Sequence, residues 1–474
     1  MPETLPTFHF TSPTGTDSYP FDPNGAIFWA GRYHLGFILG SNDDCDRHFW
    51  WGHASSADLL EWKLHPPMLS PSPLDPDTGI FSGNAFVDRK GRVVIHYHGV
   101  NAGNCIATND GDDELNSFVK LPSNPVMTEP GWDPFGWLEG NVYYSISGGM
   151  PLPSSPELAS VAAVYKCTDD EQSDWTLVGD LMAHDLPDVE ADEDVSCPEL
   201  FTLGDRRLLL CISHKRGARC YLGRFENEQF HPEQHVRMNW PGGACFAPET
   251  LLDPRGRRIF WAWAYGSPTS MTLPRILSLD EDGELRTGPA EEIDRLRRAH
   301  RRFESCTVEA DEEAELQPLR GDCMELGLTI DPQRSAECGI KVRCSPDGQE
   351  QTAIAYDVER KILRIELSKS SLDEEALPQT FIFTKLDNPR VSAQEAPFEL
   401  RAEEALQLRV YLDRSVLEVF ANGRQALAQR IYPSRDDSLG VRLFSVGGAA
   451  AFSAIDAWEM APIVVRRPNA PPQI

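Results

Sequence analysis

A strand-and-turn unit that recurs five times constrains the fold more than any other feature of the sequence. In each unit a polar or proline-containing entrance leads into an apolar run, and a glycine-containing turn leads into a second apolar run. The units begin near Asp22, Ser82, Asp133, Pro198 and Pro248. Their spacing of about 50 to 65 residues leaves room for a four-stranded sheet in each unit, which predicts a five-bladed β-propeller.

The later part of the chain has a different pattern. After about residue 310, apolar and polar residues alternate, as in Leu406, Leu408 and Val410, and Asn422-Gly423 is typical of a two-residue hairpin turn. A β-sandwich fits this pattern. Between the two domains, residues 289–298 begin with proline and end with arginines, which favours a helix. We therefore expect an all-β chain with a propeller over 1–290, a helical linker over 291–312 and a sandwich over 313–474.

Two of the five strand entrances contain Asp-Pro. A single Asp-Pro beside a strand is usually turn chemistry, because proline fixes φ and aspartate bonds the nearby backbone. Asp22 and Asp133 occupy equivalent places in their units, and a propeller directs the start of every innermost strand towards one central funnel. This equivalence favours a shared functional site.

Several motifs resemble, in order, those of glycoside hydrolase family 32, which contains invertases, inulinases and levanases. They are Asp22-Pro23-Asn24-Gly25, Trp51-Gly52-His53-Ala54-Ser55, Asp58-Leu59-Leu60-Glu61-Trp62, Pro66-Pro67-Met68-Leu69, Phe81-Ser82-Gly83-Asn84-Ala85, Ala247-Pro248-Glu249-Thr250 and residues 410–420. The last of these resembles the signature of the family's C-terminal β-sandwich. The resemblance implies that Asp22 is the nucleophile, that Asp133 stabilises the transition state, and that Cys197-Pro198 belongs to the motif that carries the general acid.

Four positions depart from the family pattern. The family usually has Asn before its nucleophile and Gln at the end of the second strand, where this chain has Phe21 and Ile38. It has Arg before the stabilising Asp and Glu before the Cys, where this chain has Trp132 and Ser196. Polar groups that the family directs at sugar hydroxyls or at the leaving oxygen are absent together, so we expect a divergent member.

The missing acid leaves a gap in the chemistry. A retaining glycosidase needs a second carboxyl that protonates the leaving oxygen, and a serine hydroxyl is too weak an acid for that task. Asp194 shares a strand face with Ser196, whereas Glu199 faces away unless a bulge intervenes. We expect Asp194 to be the acid, with a pKa raised by burial and by the other carboxylates; Glu199 and then Glu249 are the alternatives.

Sugar-binding residues are predicted from the same motifs and from aromatic side chains near strand entrances. Sugar C–H faces stack on aromatic rings, and Trp51 and Trp132 are the candidates for this role. Replacing Arg by Trp132 exchanges a hydroxyl clamp for a stacking surface. The complete set of predicted substrate contacts is Asn24, Trp51, Phe81, Ser82, Trp132, Ser196 and Glu249.

Charge and composition exclude several classes of protein. The chain has 73 acidic and 44 basic residues and a net charge of −29, which disfavours nucleic acid or an anionic membrane as partner. Its 11 cysteines form no CxxC pair, and His96 and His98 have no carboxylate that would complete a metal set. We expect no metal and no cofactor. No apolar run follows Met1, so no signal peptide is predicted and a cytoplasmic location is expected.

The sequence therefore predicts a cofactor-free retaining glycosidase that acts on β-fructofuranosides or a related furanoside. One alternative is a fructosyltransferase, including an enzyme that makes or opens difructose anhydrides. A second alternative, from a different class, is a saccharide-binding protein that lost catalysis together with its acid.

Overall fold

The computed structural model describes residues 3–13, 20–40, 49–128, 131–149, 162–182, 186–190, 192–382 and 388–467. The predicted all-β architecture of a five-bladed propeller followed by a sandwich is confirmed. Both ends of the predicted domain ranges, residues 1–2 and 468–474, lie outside the described residues. Within the described part of the chain, no helix combines the length and apolar character needed to cross a lipid bilayer.

Five antiparallel sheets form the propeller, and the first strand of each sheet lies beside the first strand of the next, so that these five strands surround the central axis. From the axis outward, blade one contains Pro23–Trp29, Arg32–Gly40, Phe49–Ser56 and Glu61–Leu64, and blade two contains Ile80–Val87, Val93–Gly99, Gly103–Asn109 and Phe118–Lys120. Blade three contains Trp132–Glu139, Val142–Gly148, Ala163–Cys167 and Thr176–Asp180, and blade four contains Ser196–Leu203, Arg206–Ser213, Gly217–Glu226 and Gln229–Arg237. Blade five contains Cys245–Leu252, Arg258–Ala264, Arg275–Leu279 and Leu285–Pro289, with Ser270–Met271 beside its second strand.

Two further sheets form the sandwich. In spatial order the first sheet contains Arg297–Phe303, Ala450–Met460, Cys323–Asp331, Leu406–Asp413, Val416–Ala421 and Gln425–Arg430, and Cys306–Val308 also pairs with Ala450–Met460. The second sheet contains Glu312–Arg320, Gly440–Val446, Glu337–Cys344, Thr352–Asp357, Ile362–Glu366 and Ala393–Pro397. Asn422 and Gly423 have φ of 48° and 62°, as the predicted hairpin turn requires.

Three strands of the first sandwich sheet, Leu406–Asp413, Val416–Ala421 and Gln425–Arg430, are buried on both faces along most of their length. Leu408 and Val410 point into the core between the two sheets, as the alternation predicts. Tyr411 and Phe420 point the other way and pack with Leu273 of the propeller. The second face therefore forms an apolar core between the domains.

The segment between the domains is less helical than predicted. A 3-10 helix covers Glu291–Leu296, but the rest of the predicted linker contains the strands Arg297–Phe303 and Cys306–Val308, which pair with Ala450–Met460. The arginine-rich segment is extended because it forms the edge of the sandwich sheet and because its side chains find acidic partners there. Arg297 lies 2.7 Å from Glu325, for example.

The end of the described chain returns to the propeller. The strand Val464–Arg466 pairs in parallel with Glu61–Leu64, the outermost strand of blade one. Arg466 also lies 2.7 Å from the carboxylate of Glu61. The predicted sandwich range of 313–474 thus includes a short segment that belongs to a propeller sheet.

Candidate active site

Side-chain bonds between neighbouring blades hold the inner strands at the axis. In each blade one side-chain oxygen accepts a hydrogen bond from a backbone N–H of the next blade. The five pairs are Asn24 with Gly83 (2.9 Å), Asn84 with Gly136 (2.7 Å), Asp133 with Cys197 (3.1 Å), Glu199 with Thr250 (2.7 Å) and Glu249 with Ala26 (2.8 Å). We call this set the inter-blade ring. It fixes the positions of the strand entrances that form the site.

Bulges aim side chains into the space at these entrances. The pairing of the first strand with the second shifts register near the entrance in all five blades. Asp133, Cys197 and Ala247 have φ of 49°, 44° and 42°, a left-handed conformation that is uncommon for residues other than glycine. Such bulges reorient side chains and concentrate at functional sites.

Asp22 lies immediately before the first strand of blade one and is buried. Its Oδ2 accepts a hydrogen bond from the Ser82 hydroxyl at 2.9 Å, while its Oδ1 makes no hydrogen bond with the described residues. Burial raises the pKa of Asp22 to about 7, the Ser82 hydroxyl opposes this rise, and the negative charge of Asp133 adds to it. One carboxylate oxygen is therefore fixed and the other is unpaired.

Asp133 is buried near Asp22, in the first strand of blade three. It shares a small cavity with Ser82 and Cys197, and its Oδ2 accepts from the Cys197 N–H. Burial raises the pKa of Asp133, although the nearby His214 and His98 oppose the rise. Since Ser82 donates to Asp22 and also lines the cavity that holds Asp133, the two predicted carboxylates lie near each other at the inner strand entrances.

Asp194 does not have the electrostatics that we expected of an acid. Both of its side-chain oxygens accept hydrogen bonds: Oδ1 from the His214 N–H at 2.9 Å, and Oδ2 from Ser196 Oγ and His214 Nδ1, each at 2.7 Å. Burial alone would raise the pKa of Asp194, but these hydrogen bonds and the charge of His214 outweigh it and hold the pKa below its usual range. The expectation of a raised pKa is therefore wrong.

Ser196 connects Asp194 to the predicted stacking residue. The indole Nε1–H of Trp132 donates to Ser196 Oγ at 2.6 Å, and Ser196 in turn donates to Asp194. Trp132 is half-buried and lies edge-on to the His214 ring, with 6.5 Å between the ring centroids. The side chains of Trp132, Ser196 and Asp194 thus form one hydrogen-bonded network.

Two histidines near the carboxylates, His214 and His98, were not predicted from the sequence to belong to the active site. His214 begins the turn after the second strand of blade four, and His98 lies near the end of the second strand of blade two. Burial lowers the pKa of His214, but the effects of Asp194, Asp133 and Asp22 are larger together, and the pKa is raised above its usual value. No motif marks either histidine; only their equivalent positions, at the ends of second strands, signal a common location.

Glu199 and Glu249 lie further along the inner strands of blades four and five. A bulge after Ser196 turns Glu199 inward, where it bonds Thr250, and Glu249 bonds Ala26. Both line a cavity of about 350 Å³ beyond the entrances. Burial raises the pKa of Glu199 to about 7, and burial together with the charge of Glu199 raises the pKa of Glu249. Both glutamates belong to the inter-blade ring.

Three predicted substrate contacts have structural partners instead of an open face. Trp51 is fully buried and donates its indole N–H to the carbonyl of Phe81 at 3.0 Å. The Phe81 ring packs on Phe49, with centroids 4.6 Å apart. Asn24 is buried in the inter-blade ring, and its amide also donates to the Asp22 carbonyl at 2.8 Å. Each of these side chains therefore contacts other protein groups beside the site.

The propeller, the sandwich and the two buried aspartates at the inner strand entrances are the features expected of an all-β glycosidase. Residues 9–289 match the family described as "Glycosyl hydrolases family 32 N-terminal domain", and residues 292–459 match "Glycosyl hydrolases family 32 C terminal". The chain therefore belongs to glycosyl hydrolase family 32.

Individual proteins agree with this assignment. A sucrose-6-phosphate hydrolase of Zymomonas mobilis is 27% identical, and the match covers 97% of this chain and 92% of that protein. A levanase of Bacillus subtilis is 25% identical over 95% of this chain and 69% of the levanase. The crystal structure of fructan 1-exohydrolase IIa from Cichorium intybus has the same fold, with a TM-score of 0.80 and 20% identity over 98% of this chain and 99% of that one.

Proposed function

We propose that the protein hydrolyses the terminal bond of small β-fructofuranosides with retention of configuration. The arrangement of Asp22 carries this proposal: Ser82 donates to one carboxylate oxygen, while the other oxygen is buried and makes no hydrogen bond with the described residues, immediately before the first strand of blade one. The hydrogen bond orients such a carboxylate for attack, and the unpaired oxygen has no hydrogen bond to break before it reacts. The similar sucrose-6-phosphate hydrolase and levanase support a fructosyl substrate.

Asp22 and Asp133 divide the work at the reacting carbon. In the first step Asp22 Oδ1 forms a bond to the anomeric carbon, the glycosidic C–O bond breaks, and the leaving oxygen receives a proton. Asp133 stabilises the positive charge that develops on the sugar ring, and its bond from Cys197 keeps it in place. In the second step water attacks the same carbon, the bond to Asp22 breaks, and the sugar is released.

A substrate panel with a configuration assay tests this function. Sucrose, sucrose 6-phosphate, inulin, levan, difructose anhydrides and aryl arabinofuranosides are supplied in turn, with methanol as a competing acceptor. We expect fructose release and a methyl β-fructofuranoside, because two displacements retain configuration. An α-product would exclude the covalent role of Asp22, and transfer to sugar in place of water would assign a transferase.

Two variants complete this test. Asp22→Asn is expected to lose at least about 10³-fold in kcat/KM, because the amide is a poor nucleophile. Asp113→Asn, which changes an exposed aspartate in blade two, is the matched control and should keep normal activity. Normal turnover by Asp22→Asn would overturn the proposal.

A further inference from the structure

We propose that His214, oriented by Asp194, is the general acid and base of this active site. It would carry out the proton transfers that the family assigns to a glutamate, at a position where this chain has Ser196. The inference rests on the proposed hydrolysis of β-fructofuranosides. It names the residue that completes that reaction.

Asp194 fixes the histidine from one side. The carboxylate accepts the His214 backbone N–H at 2.9 Å and the ring Nδ1–H at 2.7 Å, so both the position and the tilt of the ring are set. The Asp194 side chain is 3% exposed, whereas that of His214 is 38% exposed. The dyad thus has its carboxylate inside the protein and its imidazole at the accessible mouth.

Aromatic rings limit the other directions. Trp132 and Phe246 lie edge-on to His214, with centroid distances of 6.5 and 6.2 Å. Since Nδ1 is bound to Asp194, the nitrogen on the other side of the ring, Nε2, is the atom that carries the exchangeable proton. Trp132 also holds Ser196 against Asp194, so the whole network keeps one geometry.

The surrounding charges favour a protonated ring. Burial lowers the pKa of His214, but the hydrogen bond from its ring to Asp194 and the negative charges of Asp194, Asp133 and Asp22 outweigh this effect and raise the pKa. His98 and the thiol of Cys197 also act on Asp133, and the charges of Asp133 and Asp22 act on each other. An acid for a neutral-pH reaction needs a pKa near the working pH, and a histidine whose pKa is raised by carboxylates fulfils that condition.

Nearby cations are already paired with other acids. Arg219 lies 3.2 Å from the Glu193 carboxylate and donates to the Asp194 carbonyl at 2.6 Å. Lys215 lies 2.5 Å from Asp192. Their positive charges are therefore largely offset at the ring, and the three aspartates determine the sign of its pKa shift.

The three carboxyls predicted from the sequence as possible acids, Asp194, Glu199 and Glu249, all accept hydrogen bonds from protein groups. Both side-chain oxygens of Asp194 accept hydrogen bonds, and a carboxylate in that state has no proton to give. Glu199 and Glu249 accept hydrogen bonds from the backbone of Thr250 and Ala26, and although Glu249 also lines the small cavity that holds Asp133, both glutamates are buried, with 3% and 5% exposure. Of these four residues, His214 alone combines a partly exposed side chain, 38%, with an orientation fixed by Asp194.

The proton balance of the reaction follows. As Asp22 bonds to the anomeric carbon, the Nε2–H of the imidazolium passes its proton to the leaving oxygen, and the glycosidic bond breaks. The neutral Nε2 then takes a proton from water, whose oxygen attacks the same carbon while the bond to Asp22 breaks. His214 ends the cycle protonated, as it began.

The test compares leaving groups in His214→Asn. Sucrose needs protonation of its leaving oxygen, whereas an activated aryl β-fructofuranoside does not. We expect kcat/KM to fall about 10²- to 10⁴-fold on sucrose and less than about tenfold on the aryl substrate. Azide should restore aryl turnover and give a β-fructosyl azide, because azide attacks the intermediate without a general base. Equal losses on both substrates, or none, would overturn the proposal.

Two further measurements keep the result interpretable. Asp194→Asn tests the positioning role: it should lower the pKa of His214 and move the basic limb of the kcat/KM profile to lower pH. If His214→Asn fails to fold, nitrogen NMR of the wild-type ring gives the answer, and a ring that is neutral at pH 6 would contradict the assignment. His231→Asn, on the outermost strand of blade four, is the matched control. Inactivity of the wild type on every fructoside would instead refute the proposed function.

Discussion

Oε1 of Glu249 in blade five accepts the backbone N–H of Ala26 in blade one at 2.8 Å, which closes the inter-blade ring. We expect Glu249→Ala to lower the free energy of unfolding by about 1–3 kcal/mol, because a buried N–H loses its acceptor. Glu249→Gln should be close to wild type, since the amide retains a carbonyl oxygen and the raised pKa already favours the neutral acid. Urea unfolding measures both.

Glu281→Ala is the control for this change. Glu281 is exposed in a turn of the same blade, so its removal should alter the free energy of unfolding by less than about 0.5 kcal/mol. If Glu249→Ala were as stable as Glu281→Ala, the ring would not contribute to propeller closure.

A second prediction concerns the buried charges between the domains. Glu418 of the sandwich accepts from the Leu273 N–H at 2.6 Å, from Arg275 Nη2 at 2.5 Å and lies 3.0 Å from His9 Nε2. Glu418→Ala leaves a buried arginine without its partner, which costs about 3–5 kcal/mol. Thermal and urea unfolding should both show the loss.

Glu395→Ala serves as the comparison for Glu418→Ala. Glu395 pairs with Arg360 at 2.7 Å on the surface, and exposed pairs contribute about 0–1 kcal/mol. Similar losses in the two variants would show that burial does not set the strength of the Glu418 interactions.

Three histidines in blade one give stability a pH dependence. His34 Nδ1 lies 3.0 Å from His53 Nε2, and His53 stacks on His65. Burial lowers the pKa of His34 to about 4, and burial and neighbouring positive charges lower those of His53 and His65. The unfolded chain takes up these protons first, so stability falls as the pH drops below about 6.5.

The substitution His34→Gln isolates the contribution of one of these histidines to the pH dependence of stability. His34→Gln should reduce the loss of unfolding free energy between pH 6.5 and 5 by up to about 1.4 kcal/mol per pH unit, the value for one proton. The buried carboxyls Asp22 and Glu199, with raised pKa values, act in the opposite direction, but they are the same in both proteins. An unchanged slope in His34→Gln, with His231→Asn as control, would contradict the prediction.

A fourth prediction concerns the acidic limb of the reaction. Asp22 must be ionised to attack, and its pKa is about 7, so kcat/KM should rise with pH through that value. Ser82→Ala removes the hydrogen bond that lowers this pKa, and the limb should move to higher pH. Ser82→Thr keeps the hydroxyl and should leave the limb in place. Identical limbs in the alanine and threonine variants would show that Ser82 does not influence Asp22.

Repetition made the fold and the paired aspartates predictable. Alternation placed Leu408 and Val410 in the core, and the shared geometry of blade entrances brought Asp22 near Asp133. Those inferences depend on local pattern and on symmetry, both of which a single sequence contains. The extended path of Arg297–Phe303 could not be predicted, because its ion pair to Glu325 depends on a strand that is remote in sequence.

The proton donor was not predictable for a related reason. Asp194 lies beside Ser196 in sequence, so it was the natural substitute for the missing acid. His214 comes after another strand and reaches the site only because Arg206–Ser213 pairs back along Ser196–Leu203. The donors around Asp194, and the three aspartates whose charges act on His214, are brought together only by the folded structure.

The strand Val464–Arg466 has a consequence for the solution behaviour of the protein. By pairing with Glu61–Leu64 it covers a row of backbone N–H and C=O groups that would otherwise be an open sheet edge. Such an edge is a template for pairing with other chains. Removal of the residues after 461 should therefore lead to concentration-dependent self-association, with the unpaired side of blade one as its starting point.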